Sequence, residues 1–228
     1  MNRMERLTAC RLYGIVDLGY TPEYQLIHVT KKLLEGGLGI LQLRAKNHAP
    51  EHIERMGRQL APLCREYGCL FIINDYPEVA RSIGADGVHL GQEDGKLEAA
   101  RSLLGPDALI GRSTHSPEQA LGGFREGADY IGFGPLFPTD TKPGRQAIGL
   151  EHIAGMQAQL PEDFPVFCIG GINQATLPAV LDAGARRAVI VSWLLTHPDI
   201  TGTVEAVRKR LGAVSYTHLR AHETRRHL

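Results

Sequence analysis

Three polar residues stand at alternate positions where a short apolar run of the sequence ends. Gln42, Arg44 and Lys46 close and follow the run LGILQL (38–43). Alternate side chains of a β-strand point to one face, so these three are expected to project together. Buried cations need an anionic partner, and an arginine fork beside a lysine ammonium suits a diphosphate. A structural ion pair with a neighbouring acid is the alternative that the residues leave open.

Two carboxylates come after the next two apolar runs and are candidate metal ligands. Asn74 and Asp75 follow LFII (70–73), and Asp94 comes shortly after DGVHL (86–90). Magnesium takes one or two carboxylates, keeps water and completes its shell with substrate phosphate. We therefore expect Asp75 and Asp94 to bind Mg²⁺ beside the cations described above. The alternative is that Asp75 caps a helix and Asp94 is a solvated loop residue.

The segment STHS (113–116) offers hydroxyls and an imidazole after a further apolar run. Ser116, followed by Pro117 and by Gln119, has the pattern of a helix N-cap with a capping box. Helix capping therefore accounts for Ser116, and Ser113 is the candidate hydroxyl for a phosphate. His115 is either an acid–base group or a polar surface residue.

The loop at 134–144 is long, is bounded by glycine and proline, and carries Thr139, Thr141 and Lys142. Two hydroxyls and an ammonium suit an anion site under a mobile lid, and a plain surface loop is the alternative.

Two further segments are candidate phosphate sites, Gly170-Gly171 after PVFCI (165–169) and Val191-Ser192 at the end of RAVIV (187–191). Glycines allow backbone amides to approach a phosphate at a helix start. Two glycines alone are a weak signal, and their place late in the strand order strengthens it.

All of these residues lie at the ends of eight apolar runs that alternate with amphipathic segments. The runs are 11–16, 38–43, 70–73, 86–90, 108–111, 129–133, 165–169 and 187–191. They lack period-two alternation, as is typical of parallel strands buried on both faces. The pattern predicts a single-domain α/β protein, a (β/α)8 TIM barrel, with its working residues at the carboxyl ends of the strands. An open doubly wound sheet is the alternative.

Glycines and one proline mark the helices between these runs. Gly84, Gly127 and Gly184 each stand shortly before a strand, so each is expected to take the left-handed conformation that ends a helix. Pro62 interrupts the helical pattern of 53–67 and predicts a kink or an early end there. The final helix is expected over about 199–211, ending near Gly212.

Length and composition restrict the class of protein. The chain has 228 residues and a formal net charge of zero, which suits one domain over 1–213 and gives no support for nucleic-acid binding. The sequence contains no run of about 20 uncharged apolar residues, so it predicts no membrane span. The amino-terminal residues contain no apolar run of signal-peptide length. The four cysteines lack zinc-site spacing, and we expect reduced thiols in a cytoplasmic protein.

Residues 214–228 show neither apolar periodicity nor turn residues. We expect this tail to be disordered or foreign to the protein, because SYTHLRAHETRRHL (215–228) looks like translated vector or adapter sequence. The tail is therefore left out of the functional interpretation.

The motifs, in their order and approximate spacing, resemble those of the thiamine-phosphate synthase family over nearly all of 11–211. They are QLRAK (42–46), IIND (72–75), GVHLGQED (87–94), STHS (113–116), FPTDTKPG (137–144), IGGIN (169–173) and VS (191–192). The resemblance implies an enzyme that joins hydroxymethylpyrimidine diphosphate to hydroxyethylthiazole phosphate. It also implies that the reaction requires Mg²⁺ and that the products are thiamine phosphate and pyrophosphate. No protein side chain is expected to act as a nucleophile.

The resemblance also implies a role for each matching residue. The pyrimidine diphosphate would be held by Gln42, Arg44, Lys46, Asn74, Ser113 and Lys142. Mg²⁺ would be bound by Asp75 and Asp94. The thiazole phosphate would be held by Thr139, Thr141, Gly170, Gly171, Val191 and Ser192. Of these residues, Ser113 and Lys142 are the two expected to be catalytic.

The departures from the family pattern are small. Ala45 stands where relatives often carry Glu, and Trp193 stands where a small residue is usual. Trp193 is expected to fill the interface between helix and barrel. Two other functions stay open: a thiazole tautomerase of the same fold and a non-catalytic barrel that binds a phosphorylated ligand. The retained cations and carboxylates favour the synthase. The expected partners are small-molecule substrates. The oligomeric state stays open between a monomer and a homo-oligomer.

Overall fold

A computed structural model of the protein shows eight parallel strands closed into a barrel. The structure describes residues 1–139, 144 and 146–225, and from 213 to 225 the backbone alone. The strands are β1 (Leu12–Asp17), β2 (Ile40–Arg44), β3 (Leu70–Asn74), β4 (Gly87–Leu90), β5 (Leu109–Thr114), β6 (Tyr130–Phe133), β7 (Val166–Cys168) and β8 (Ala188–Ile190). Strand β8 returns to β1, where Leu12 is opposite Ala188. The predicted (β/α)8 barrel is confirmed, and the open sheet is excluded.

Helices surround the barrel and precede it. They are α1 (Arg3–Ala9), α2 (Leu26–Glu35), α3 (Pro50–Glu66), α4 (Pro77–Ile83), α5 (Leu97–Leu104), α6 (Pro117–Arg125), α7 (Ile153–Gln157), α8 (Leu177–Asp182), α9 (Ser192–Thr196) and α10 (Ile200–Arg225), with a 3-10 turn at Glu23–Gln25. In the described ranges, no helix is long and apolar enough to cross a membrane.

The strands are buried on both faces, which explains why the sequence shows no alternation. Every residue of β1, β5 and β6 is buried. Large side chains fill the interior, and glycine makes room for them. A Cβ atom at Gly111 would lie 2.5 Å from His89 Nδ1. Glycine at this position therefore allows a ring of the neighbouring strand to cross the barrel.

The glycines predicted to follow helices and the serine predicted to begin one are found in those positions. Gly84, Gly127 and Gly184 have φ angles of 64°, 89° and 96°, all in the left-handed region. Ser116 Oγ accepts a hydrogen bond from Gln119 N at 3.2 Å and caps α6. The capping box is not formed as predicted, because Gln119 Oε1 accepts from His115 N at 2.8 Å. The glutamine therefore bonds the residue before the N-cap.

Of the two outcomes expected at Pro62, the early end is wrong, and so is the end of the final helix near Gly212. Helix α3 continues through Pro62 to Glu66, since its buried residues, among them Leu60 and Cys64, hold the chain on both sides of the exposed proline. Helix α10 continues past Gly212 to Arg225. Residues 213–225 contain no glycine or proline to stop a helix. The division of the chain at 213 and the foreign origin of the tail stay predictions.

All four cysteines are free. Cys64, Cys69 and Cys168 are buried, and burial raises the pKa of the Cys168 thiol to about 12. A thiol of that pKa is almost entirely protonated at neutral pH and reacts poorly. These residues therefore pack as small apolar side chains.

Candidate active site

A cavity opens at the carboxyl ends of the strands, and all eight strands contribute to its lining. Nine residues assigned by the motifs line it: Gln42, Arg44, Asn74, Ser113, Thr139, Gly170, Gly171, Val191 and Ser192. Thr141 and Lys142 lie outside the described residues. The strand order therefore brings together residues that are far apart in the sequence.

Arg44 is held against the cavity wall by an acid of the neighbouring strand. Its Nη1 donates to Asp17 Oδ2 at 2.5 Å, and the two residues are opposite each other in the pairing of β1 with β2. Asp17 is 3% exposed, and its Oδ1 accepts from Gly19 N at 2.8 Å. The structural ion pair considered for Arg44 therefore exists, and Arg44 still lines the cavity.

Lys46, Asp75 and Asp94 form a second charged group. Lys46 lies beyond the end of β2, and its Nζ is 2.5 Å from Asp75 Oδ2. Burial raises the pKa of the Asp75 carboxyl, Lys46 opposes that rise, and the adjacent Asp94 carboxyl adds to it. Asp75 has a φ angle of 68°, in the left-handed region. An unfavourable backbone conformation thus directs Asp75 towards a like charge.

The loop that carries Asp94 is fixed from the outer side of the barrel. Asp94 Oδ2 accepts from Gly91 N at 2.7 Å. Arg112, 8% exposed, donates from Nη1 to the carbonyl oxygens of Gly91 and Gly95 at 2.8 and 2.9 Å. Arg112 therefore closes this loop into a tight turn and holds Asp94 in place.

A chain of hydrogen bonds, here called the polar chain, crosses the barrel beneath the cavity. Gln42 Nε2 donates to Tyr13 Oη at 2.9 Å, and Tyr13 Oη lies 3.1 Å from Tyr130 Oη. Tyr130 Oη lies 3.3 Å from His89 Nδ1, and His89 Nε2 lies 2.9 Å from Ser113 Oγ. The polar chain comprises Gln42, Tyr13, Tyr130, His89 and Ser113, and it links β2, β1, β6, β4 and β5.

Sequence reasoning missed Asp17, Tyr13, Tyr130 and His89. Asp17 directly follows the run 11–16, so its place marked it as a strand-end residue. The other three lie inside β1, β4 and β6, strands in which the sequence analysis assigned no site residue, so the sequence offered no signal for them.

The two glycines after β7 pack closely against the loop after β6. Gly170 and Gly171 have φ angles of 101° and 65°. A Cβ atom at Gly170 would lie 2.4 Å from Pro135 Cβ, and one at Gly171 would lie 2.6 Å from Phe137 Cβ. Both positions therefore require glycine for conformation and for space.

His115 and Trp193, whose roles the sequence left open, lie in different surroundings. His115 lines the cavity, and its Nδ1 lies 2.5 Å from the carbonyl oxygen of Gly134. Trp193 is partly buried and packs against the core. Trp193 is not among the described residues that line the cavity, which agrees with the expected packing role.

A family model described as thiamine monophosphate synthase matches residues 12–194. The chain belongs to this family. The family resemblance inferred from the motifs is thereby confirmed.

Relatives in the thiamine monophosphate synthase family match nearly from end to end. The thiamine-phosphate synthase of Thermus thermophilus is 44% identical over 207 residues, which are 90% of this chain and 98% of that protein. The thiamine-phosphate synthase of Mycobacterium bovis is 41% identical over 221 residues, covering 92% of this chain and 98% of that protein. Among solved structures, thiamine phosphate pyrophosphorylase from Pyrococcus furiosus superposes with a TM-score of 0.81 at 35% identity, covering 92% of this chain and 98% of that chain.

The magnesium that the family resemblance implies fits the carboxylates of this site. Asp75 and Asp94 lie close enough to share a hydrogen bond, and a divalent cation relieves the repulsion of such a pair. No group of three or more His, Cys, Asp or Glu side chains in the described part of the chain could hold a metal. Two carboxylates completed by water and substrate phosphate are the arrangement that suits Mg²⁺.

Proposed function

We propose that this protein joins 4-amino-5-hydroxymethyl-2-methylpyrimidine diphosphate to hydroxyethylthiazole phosphate and forms thiamine phosphate and pyrophosphate. The supporting relatives carry the name thiamine-phosphate synthase and match over 98% of their own length. The observation that carries the proposal is the convergence of motif residues from separate strands on one cavity. A chance resemblance of single motifs would not produce that convergence.

In this proposal the pyrimidine diphosphate lies on the side of the cavity formed by the ends of β2 to β5. Arg44 is already oriented by Asp17, so its guanidinium needs little rearrangement to meet a diphosphate. Asp75 and Asp94 would hold Mg²⁺, which neutralises developing charge on the leaving group when bound. Lys46, whose Nζ is 2.5 Å from Asp75 Oδ2 and which is not among the described residues that line the cavity, would bind the same diphosphate.

The reaction we propose is a dissociative displacement. The bond between the pyrimidine methylene carbon and the diphosphate oxygen breaks, and its electron pair leaves with pyrophosphate. The electron-rich aminopyrimidine stabilises the methylene cation, and the thiazole nitrogen then forms the new carbon–nitrogen bond. Tyr13, Tyr130 and Phe167 line the cavity, and their rings help to exclude water from the cation. Holding both substrates in line supplies a proximity advantage.

The thiazole phosphate is assigned to the opposite side of the cavity. Gly170, Gly171, Val191 and Ser192 line that side together with Thr139. Both glycines have positive φ angles and line the cavity, and backbone amides there would meet the phosphate.

A discontinuous assay tests the reaction. The purified chain is mixed with both substrates, once with Mg²⁺ and once with EDTA, and thiamine phosphate is measured by chromatography. We expect product with Mg²⁺ and none with EDTA. Folded protein that binds the thiazole phosphate but forms no product would support the tautomerase or the binding barrel instead. Product formation undiminished in EDTA would contradict the metal requirement.

The metal assignment has a matched pair of variants in one loop. Asp94→Asn should raise the Mg²⁺ concentration needed for half-maximal activity and lower kcat by about 100-fold, because it removes one of two ionic ligands. Glu93→Gln makes the same charge change at an exposed neighbour and should leave both values unchanged. Equal responses of the two variants would contradict the role of Asp94 as a metal ligand.

The proposed partners are the two small-molecule substrates, and the proposed compartment is the cytoplasm. Both rest on the family, and the compartment rests also on the expected reduced thiols. Fractionation of the source cells tests the compartment, and light scattering of the purified chain gives the oligomeric state.

A further inference from the structure

The polar chain connects two residues that the motifs assign to the same substrate. Gln42 stands at one end and Ser113 at the other, and both line the cavity. Between them, Tyr13 and Tyr130 are 1% and 0% exposed. His89, the third residue between the ends, is partly buried and lines the cavity itself. What one end offers to a ligand is therefore linked to what the other end offers through hydrogen bonds within the barrel.

For a neutral His89 imidazole, counting hydrogen atoms leaves two self-consistent directions for the chain. Burial raises the pKa of Tyr13 and of Tyr130, so each hydroxyl keeps its one hydrogen at neutral pH. If the Gln42 amide donates to Tyr13, then Tyr13 donates to Tyr130 and Tyr130 donates to His89 Nδ1. His89 then carries its hydrogen on Nε2 and donates to Ser113. In the opposite direction every donor becomes an acceptor, and His89 carries its hydrogen on Nδ1.

The two directions present opposite groups to the cavity. In the first, Gln42 has its carbonyl oxygen left for a ligand, and the Ser113 hydroxyl hydrogen is left to be donated. In the second, Gln42 offers its amide hydrogens, and Ser113 offers lone pairs because it donates to His89. The proposed pyrimidine substrate has an exocyclic amine, which donates, and a diphosphate, which accepts. The pyrimidine ring nitrogens also accept, so the Gln42 end alone does not select a direction. Only the first direction gives the diphosphate the Ser113 hydroxyl hydrogen and leaves the Gln42 carbonyl oxygen for the amine.

We propose that Tyr13 and Tyr130 are positioning residues that hold His89 as its Nε2–H tautomer, so that Gln42 accepts from the amine and Ser113 donates to the diphosphate of the pyrimidine substrate. This proposal rests on the proposed function for the identity of the ligand. In the structure, Gln42 Nε2 donates to Tyr13 Oη at 2.9 Å, as the first direction requires.

The rings of the polar chain are fixed by packing. Phe167 meets Tyr13 and Tyr130 edge-on, with centroid distances of 5.3 and 5.9 Å. The absence of a side chain at Gly111 leaves space for Tyr130 and for His89, which a Cβ atom there would overlap. The positions of the rings are therefore set before any ligand binds, and binding requires no rearrangement of them.

The tautomer of His89 is measurable without substrate. Two-bond proton–nitrogen NMR correlations of the ¹⁵N-histidine-labelled full chain distinguish Nε2–H from Nδ1–H, and the spectrum of His89→Asn assigns the signal. We expect a single Nε2–H form. An Nδ1–H form, or an even mixture of the two, overturns the proposal.

A pair of variants tests the positioning role. Tyr130→Phe removes one hydroxyl of the polar chain, and Thr114→Val removes one buried hydroxyl that bonds Gly132 O outside the chain. We expect Tyr130→Phe to populate both tautomers and to raise KM for the pyrimidine diphosphate about tenfold, with KM for the thiazole phosphate unchanged. Thr114→Val should leave the tautomer and both KM values as they are.

Three outcomes separate the positioning role from the proposed function. Tyr130→Phe with an unchanged tautomer and unchanged KM overturns the positioning role even if the enzyme is active. Equal rises of both KM values overturn it too, because they indicate a general loss of structure. A wild-type chain that shows the Nε2–H form but makes no thiamine phosphate counts against the proposed function and against the assigned ligand, and leaves the hydrogen-bond direction intact.

Discussion

Three influences act on the pKa of the Asp75 carboxyl, and one of them opposes the other two. Burial and the neighbouring Asp94 favour its protonated form, and Lys46 at 2.5 Å favours the carboxylate. The net effect raises its pKa above 3.8. In the absence of a metal, folded protein therefore holds this proton more tightly than the unfolded chain does.

This shift predicts how magnesium stabilisation depends on pH. The stability that protonated Asp75 contributes is present at low pH and is lost as the pH rises through the raised pKa. Mg²⁺ binds the ionised carboxylates, so the increase in Tm on adding Mg²⁺ should be larger at about pH 7 than at about pH 4, close to the ordinary pKa of an Asp carboxyl. Differential scanning fluorimetry measures both values. In Asp75→Asn the difference between the two pH values should shrink, and an equal increase at both pH values in the wild-type chain would contradict the prediction.

At the residue scale, the sequence identified polar residues at the ends of β2, β3 and β5 and missed Asp17 at the end of β1. Gln42, Arg44, Asn74 and Ser113 were identified in that way, and all four line the cavity. Tyr13 and Tyr130 were not identified, because a tyrosine inside an apolar run looks like an ordinary core residue. Only the closed barrel shows that their hydroxyls meet at 3.1 Å.

At the scale of the strands, apolar runs predicted the elements but ended too early where function begins. The run 11–16 became β1 (Leu12–Asp17), and the run 108–111 became β5 (Leu109–Thr114). Of the added polar residues, Ser113 lines the cavity, and Asp17 bonds Arg44, which lines it. Hydrophobicity therefore marks the part of a strand inside the core and misses the part that forms the site.

Helix α3 offers a test of what an interior proline costs. Pro62 is exposed and lies within α3, where it lacks an N–H and crowds the preceding turn. Pro62→Ala should raise the free energy of unfolding by about 1–2 kcal/mol, after the greater freedom of the unfolded alanine chain is subtracted. Urea denaturation measures this change, and synthase activity should stay the same.

The control lies in the same helix. Pro50 is the first residue of α3, where the missing N–H has no intrahelical partner to lose. Pro50→Ala should therefore give no gain in stability. If Pro62→Ala also gave none, the helix would already accommodate the proline without cost.

At the scale of the whole molecule, the barrel is closed well before the chain ends. Strand β8 pairs with β1 through Leu12–Ala188 and Gly14–Ile190, and the described residues that line the cavity lie between Tyr13 and Ser192. Helix α10 then packs Val204, Val207 and Leu211 into the core.

The length of chain that the molecule needs is therefore set by the buried part of α10. A chain that ends after Gly212 keeps Leu211, which is 1% exposed, and should keep its Tm within about 2 °C and its activity unchanged. A chain that ends after Ile200 loses Val204, Val207 and Leu211, each worth about 1.5–3 kcal/mol when fully buried, and should unfold at a much lower temperature or fail to fold. Circular dichroism melts and the synthase assay on both truncations check this. A loss of activity or stability on removing 213–228 alone would mean that the tail belongs to the working molecule and would contradict its foreign origin.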